Sequence, residues 1–256
     1  MKRDTLLYPL LFMGLLLGVW EILCRLWSIP RYVLPTPSLI FHTLWTEFPR
    51  FWPHILTTLE EMLLGLGLAV VIGVPLAFAM FRYPVVEKTF FPIVIGSQAV
   101  PVFAIAPLLV LWFGYGVSSK VIMASIIVFF PIVVNTLEGL KSTDPDLVNL
   151  LRSMGAKEHQ IIWKVRVPQA LPFFFTGLKI GVSVSTIGAV IGEWVGSTRG
   201  LGYLMLHANA QLRVDVVFAA IVYLTILGVG LFALTSWIAR KAMPWTFIQQ
   251  NEEVTP

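Results

Sequence analysis

The stretch EGLKSTDPDLVNLLRSMGAKEHQIIWKVRVPQALP, residues 138–172, decides how the rest of the chain is read. It is charged and helix-patterned, yet it sits in a chain that is 57% hydrophobic and 12% charged, with mean hydropathy +0.82. Ordinary soluble domains carry about 25% charged residues. The chain is therefore predicted to be integral to a membrane. A structured polar island between apolar spans presents a face to a soluble partner.

Within the island, Thr143 or Asp144 can cap a helix whose first position is Pro145. Leu147, Leu150, Leu151 and Met154 then make one apolar stripe. Gly155 is placed to stop that helix in a left-handed turn. A second short helix is expected over residues 156–164, with Ile161, Ile162 and Val165 apolar and Lys157, Glu158, His159 and Lys164 polar. Pro168 and Pro172 are expected to close the unit. Neither helix can bury its stripe alone. Each must pack on the membrane domain, on a partner or in the lipid headgroups.

Outward from the island, six runs reach the length of about 20 apolar residues that a spanning helix needs. They cover residues 6–26, 58–81, 89–113, 120–137, 173–195 and 217–239. Pro92, Pro101 and Pro107 interrupt the third, which is read as one bent helix or a helix followed by a broken piece. The N-terminal run is long for a signal core and no small-x-small site follows it, so it is read as a retained span. A short helix over residues 38–47, capped by Ser38, is expected in the proline-rich segment after it. The sequence is thus read as one all-α transmembrane domain over residues 1–256.

The chain has 18 lysines and arginines. Arg25, Arg31, Arg50, Lys120, Arg199 and Arg213 fall on one side of these spans. The remainder, including Lys2 and Arg3, fall on the other. The excess side is expected to be cytoplasmic, with both termini and the island. Five of its basic residues lie in the island: Lys141, Arg152, Lys157, Lys164 and Arg166. A net charge of +4 therefore needs no nucleic-acid partner.

The single cysteine, Cys24, excludes an intramolecular disulfide. His42, His54, His159 and His207 fall in no metal-ligand pattern, and no nucleophile–base set is visible. GLKST (residues 139–143) lacks the Gly-Lys-Ser/Thr core of a phosphate-binding loop. Neither a metal, a cofactor nor a catalytic residue is expected in this chain. Intramembrane polar residues are functional by default, small hydroxyls in helix packing being the alternative. Gln98, Ser183, Thr186 and Glu193 are the path candidates. Glu193 is also read as a partner for Arg199 or Arg213.

Gly155, nine residues, then Val165-Arg166-Val167-Pro168 resembles the coupling loop of ABC-importer permeases. The usual Glu-Ala-Ala of that loop falls on Asn149, Leu150 and Leu151, where this chain departs from it. VLPTPSLIFHTL (33–44), VPVFAIAPLLVLWFGYGVSSKV (100–121), FPIVVNTLEGL (130–140) and GEWVGSTRGLGYLM (192–205) are similar to the nitrate/sulfonate/taurine branch. The resemblance implies a type I importer permease, multi-pass in a bacterial inner membrane. It also implies a second permease copy, two ATPase subunits that bind the ATP and magnesium, and an extracytoplasmic binding protein. It assigns ATPase coupling to Asn149, Gly155, Ala156, Lys157, Glu158, His159, Ile161, Val165 and Pro168. Binding-protein contact falls to Arg199, Gly200 and Gly202. Segment 192–205 is more similar to permeases for thiamine-precursor, hydroxymethylpyrimidine-type heterocycles. Only Lys179 offers a basic group near membrane depth, which tilts the expectation away from sulfonate, taurine or nitrate. A secondary transporter, a membrane-embedded enzyme or a scaffold are the competing classes. The first would need inverted repeats, and none is visible.

Overall fold

The computed structural model describes residues 4–245; Lys2 and Arg3 of the orientation argument lie outside the described residues. Every regular element among the described residues is helical. Lipid offers the backbone no hydrogen bonds, so a spanning segment must satisfy its own groups, and a helix does so within one segment. In chain order the helices are α1 (Asp4–Leu26), α2 (Pro37–Thr46), α3 (Phe48–Arg82), α4 (Pro84–Ser97), α5 (Val102–Phe113) and α6 (Val117–Lys141). They continue as α7 (Pro145–Ser153), α8 (Glu158–Ile161), a π-helical turn (Ile162–Arg166), α9 (Val167–Gly196), α10 (Leu201–Ala210) and α11 (Val214–Ala242).

Leu7–Leu26, Phe48–Arg82, Val117–Lys141, Glu158–Gly196 and Val214–Ala242 are each long and apolar enough to cross a bilayer. The pair α4 and α5, bent by 103° at its break, is a sixth, broken span or a re-entrant loop. The bend falls where Pro101 withholds an N–H and pushes Val100 out of helical geometry. Pro92 and Pro107 stay inside their helices. α3 begins at Phe48, well before the expected residue 58, because Pro49 falls in its first turn, where a missing N–H costs nothing.

The chain forms two compact units. The first comprises Met1–Thr58 and Thr198–Thr225. Here α2 starts at Pro37, and Thr36, not Ser38, is the cap: its Oγ1 accepts the Leu39 N–H at 3.3 Å. Proline is preorganised for the first helical position, which moves the cap two residues back, from Ser38 to Thr36. Ser38 turns to α1 instead, where its N–H and hydroxyl donate to the Glu21 carboxylate at 3.0 and 2.8 Å.

The second unit comprises Leu59–Ser197 and Ile226–Pro256. Its centre is the α6–α9 pair. Met123, Ala124, Val128, Ile132 and Val133 on α6 are fully buried, as are Val182 and Ala189 on α9. A Cβ added at Gly188 would lie 2.7 Å from Ala124 Cα, so the two backbones are nearly in contact there. In membranes, where hydrophobicity does not hold helices together, such close approach is a main source of association energy.

Candidate functional site

The island begins as the sequence predicts. α7 starts at Pro145, and Asp144 caps it by accepting the Asp146 N–H at 2.8 Å. Gly155 has φ +86°, the left-handed region that favours glycine. Its N–H donates to Arg152 O at 2.9 Å and that of Ala156 to Leu151 O at 3.0 Å, which closes the helix end. Of the apolar stripe, Leu150 and Met154 are 57% and 74% exposed. Val148, off that stripe, is the α7 residue that packs inward.

The second half departs from expectation. Residues 156–164 do not form a separate short helix. α8 passes through the π turn straight into α9, so helix runs without a break from Glu158 to Gly196. Pro168 and Pro172 do not close the unit. Pro168 sits at the start of α9 and Pro172 inside it. The wide turn absorbs the mismatch, with the Val167 N–H reaching back to Ile162 O.

Ile161 is buried, while Lys157, Glu158 and His159 are exposed. Arg152 reaches across the glycine turn to Glu158 at 2.6 Å, and that hydrogen bond holds the guanidinium above its ordinary pKa. Arg166 donates to Leu140 O at 3.0 Å and lies over the Phe81 ring. Asn149 lines a hollow of about 200 Å³ with Lys141, Thr143 and Arg166. The island is thus anchored by Val148, Ile161 and Arg166. It displays Leu150, Met154 and the charged turn after Gly155.

The path residues do not gather at one place. Gln98 is exposed at the bend between α4 and α5. Ser183 is exposed and Thr186 half-buried on α9, each returning its hydroxyl to its own helix backbone. Ser185 and Ser125 are buried and do likewise. Glu193 is 1% exposed and lies by Glu61 of α3, which also faces Lys120 of α6, both buried. The charge count assigns Lys120 to a side of the membrane, and the structure shows in addition that its side chain is enclosed. Glu61 escaped the sequence reading altogether. The signal was present: a Glu-Glu pair inside an apolar run is functional by default.

In the first unit, Gly200 has φ +112° and gives its N–H to His54 Nδ1 at 3.0 Å. Leu201 N–H donates to Thr58 Oγ1 at 2.9 Å. Gly202 is buried and Arg199 exposed. Nearby in sequence, Arg213 joins Glu47 and Asp215, and Arg50 also bonds to Glu47. Burial opposes ionisation of Glu47, but the bonds from Arg213 and Arg50 outweigh it and hold its carboxyl below the usual range. The bonds from Glu47 and Asp215 raise Arg213 further above its already high value. Glu47, Arg213 and Asp215 line a cavity of about 520 Å³ together with Arg31, Tyr32 and His42.

The sequence profile of the "binding-protein-dependent transport system inner membrane component" family matches residues 69–243. The chain belongs to this family. It is an ABC-importer permease and a multi-pass inner-membrane protein. A probable ABC transporter permease of Haemophilus influenzae is 43% identical over 239 residues, covering 93% of this permease and 98% of the relative. The formylaminopyrimidine transport permease ThiX of Halalkalibacterium halodurans is 40% identical, with 96% and 98% covered. The taurine transport permease TauC of Escherichia coli K12 is 33% identical, with 91% and 87% covered. Inward-facing structures of the MetNI methionine ABC transporter include a chain of similar fold. Its TM-score is 0.65 at 21% identity, over 75% of this permease and 97% of that chain. The permease thus has the type I importer fold.

Proposed function

We propose that the permease works as one of two copies that together form the substrate path of an ATP-driven importer, and that residues 156–164 dock on a separate ATPase. The observation that carries this reading is the exposed stripe of α7 ending at Gly155. Leu150 and Met154 lie uncovered beside the charged residues Lys157, Glu158 and His159. An apolar stripe left open by the chain's own fold fits a groove on a partner. ATP and magnesium belong to that partner, since the sequence offers no phosphate-binding loop. The island and both termini lie on the ATPase side of the membrane.

Gln98, Ser183 and Thr186 fit the path best. Bent backbone at membrane depth is tolerated only against protein or water, which supports a second copy beside the α4–α5 bend. Glu193 enters the path only if α3 and α9 separate. On the opposite face, Arg199, Gly200 and Gly202 meet the extracytoplasmic binding protein. The substrate is a thiamine-precursor pyrimidine or a related small heterocycle. The 40% identity to ThiX over nearly the whole chain supports this over a sulfonate, TauC being 33% identical.

The test is co-expression with the ATPase and binding protein encoded beside the gene. The complex should co-purify, its ATP hydrolysis should rise with loaded binding protein, and labelled aminopyrimidine should enter proteoliposomes. Failure of any ATPase to co-purify or respond rejects the coupling role. Saturable taurine uptake without pyrimidine uptake rejects the substrate class alone.

A further inference from the structure

A hollow of about 200 Å³ opens between α7, the last turn of α6 and the π turn in the second unit. The cations Lys141, Arg152 and Arg166 line it, and no carboxylate does. Glu87 pairs with Lys141 and Glu158 with Arg152, but neither acid is part of the wall. Asp144 is spent on the cap of α7. Among the described residues no carboxylate lies within ion-pair distance of Arg166. Its bond goes to the Leu140 carbonyl, and its guanidinium lies over the Phe81 ring. Glu158 acts on it only at longer range, beyond Arg152.

The other polar groups of the wall can donate too. A guanidinium and an ammonium each carry several N–H groups, so every cation keeps donors beyond its present bonds. Asn149 turns its Oδ1 to Arg152 at 3.5 Å, which leaves its amide N–H groups to give. Thr143 is the telling residue. It is 3% exposed, it lines the hollow, and its enclosed hydroxyl has no hydrogen-bond partner. Native folds rarely leave such a group unmet. Positive charge and unused donors thus surround open space. A carboxylate offers its oxygens in one plane. A phosphate offers strong acceptors in several directions, which suits donors arriving from α6, α7 and the π turn.

The position fits a lipid headgroup. Lys141 ends α6 and Arg166 directly precedes α9, so the hollow lies where crossing helices leave the apolar layer. Lipid phosphates sit at that level, and basic pockets between crossing helices bind anionic headgroups. A free phosphate ion has the same chemistry.

We propose that this hollow is a binding site for a phosphate group, held by Lys141, Arg152 and Arg166 and completed by Thr143 and Asn149. The group comes from an anionic phospholipid or from free phosphate. Bound there, it ties α7 to the ends of the neighbouring helices. The inference requires neither a particular substrate nor a bound ATPase.

The test uses the full-length permease, with any subunits that co-purify, in phosphate-free maltoside detergent. A ligand of the folded state raises the melting temperature. Short-chain phosphatidylglycerol and inorganic phosphate are titrated separately. Saturable stabilisation by the lipid alone makes the occupant a headgroup, and stabilisation by inorganic phosphate makes it the free ion. Either supports the site. The half-saturating concentration should rise about tenfold in Arg166→Gln, which loses a charged donor, and about threefold in Thr143→Val, which keeps the shape and loses the hydroxyl. Arg166→Gln also gives up the Leu140 bond, so Thr143→Val decides alone if that variant does not fold. No stabilisation of the wild type by either probe overturns the proposal without any variant. An unchanged half-saturating concentration in either variant that folds puts the phosphate elsewhere and also overturns it. Carbodiimide coupling of Lys141 to a carboxylate of a co-purified ATPase would give the hollow to an acidic protein partner, which overturns it as well.

Discussion

At the scale of single residues, Gly155 and Glu47 carry the sharpest consequences. Gly155 holds φ +86° with open space around it, so the conformation and not crowding excludes a side chain. A β-branched residue there costs on the order of 1–3 kcal/mol. Gly155→Val should leave the membrane helices intact yet break the link between ATP hydrolysis and transport. Uptake at the wild-type rate from an equally expressed variant would reject the hinge role. Glu47 accepts from Arg50 and Arg213 with its side chain 26% exposed. Glu47→Gln should cost about 0.5–1 kcal/mol, as partly screened pairs do. Because its folded-state carboxyl is depressed, its contribution is present at neutral pH and fades as pH falls through the lowered value. The protection of α2 amides, corrected for the intrinsic pH dependence of hydrogen exchange, should fall on acidification in the wild type. The variant should exchange faster at neutral pH, with less further change in acid.

Individual helices make their own predictions through backbone proximity. A side chain at Gly188 meets the Ala124 backbone, which cannot swing aside. Gly188→Val should destabilise the α6–α9 pair by about 1–3 kcal/mol, read as a lowered melting temperature in detergent. Gly67 and Gly230 have nothing within 4 Å. Alanine there should be neutral or slightly stabilising, since glycine inside a helix costs up to about 1 kcal/mol against alanine. Equal losses at all three positions would argue against close packing as the cause. Signals written in neighbouring residues proved legible in the sequence: a cap at Thr143 or Asp144, which falls on Asp144; Gly155 as stop; and a third run broken by prolines, of which Pro101 marks the bend. The fusion of α8 to α9 was not, because Pro168 and Pro172 read as breakers until a π turn absorbs them. The Glu61–Lys120–Glu193 cluster was not either, because it joins three helices far apart in sequence. A buried lysine looks no different from an interfacial one in a charge count.

For the whole molecule, the crossing pattern follows from composition and the family from motif spacing. The substrate is the part that neither length nor hydropathy touches. Labelled pyrimidine uptake should compete with unlabelled aminopyrimidine and be indifferent to excess taurine, and the reverse pattern would transfer the permease to the sulfonate class. The unbroken helix from Glu158 to Gly196 is 39 residues long, which at 1.5 Å per residue is a rod of about 60 Å. One end carries exposed Glu158 and the other the enclosed Glu193. Such a rod links its two ends within one element, with the π turn at Ile162–Arg166 and Pro172 as the places where it can bend. A tilt of a few degrees at the charged turn displaces the far end by several ångströms, enough to pry apart groups that touch there. Force applied outside the bilayer can therefore be felt near its opposite face without passing from one helix to another.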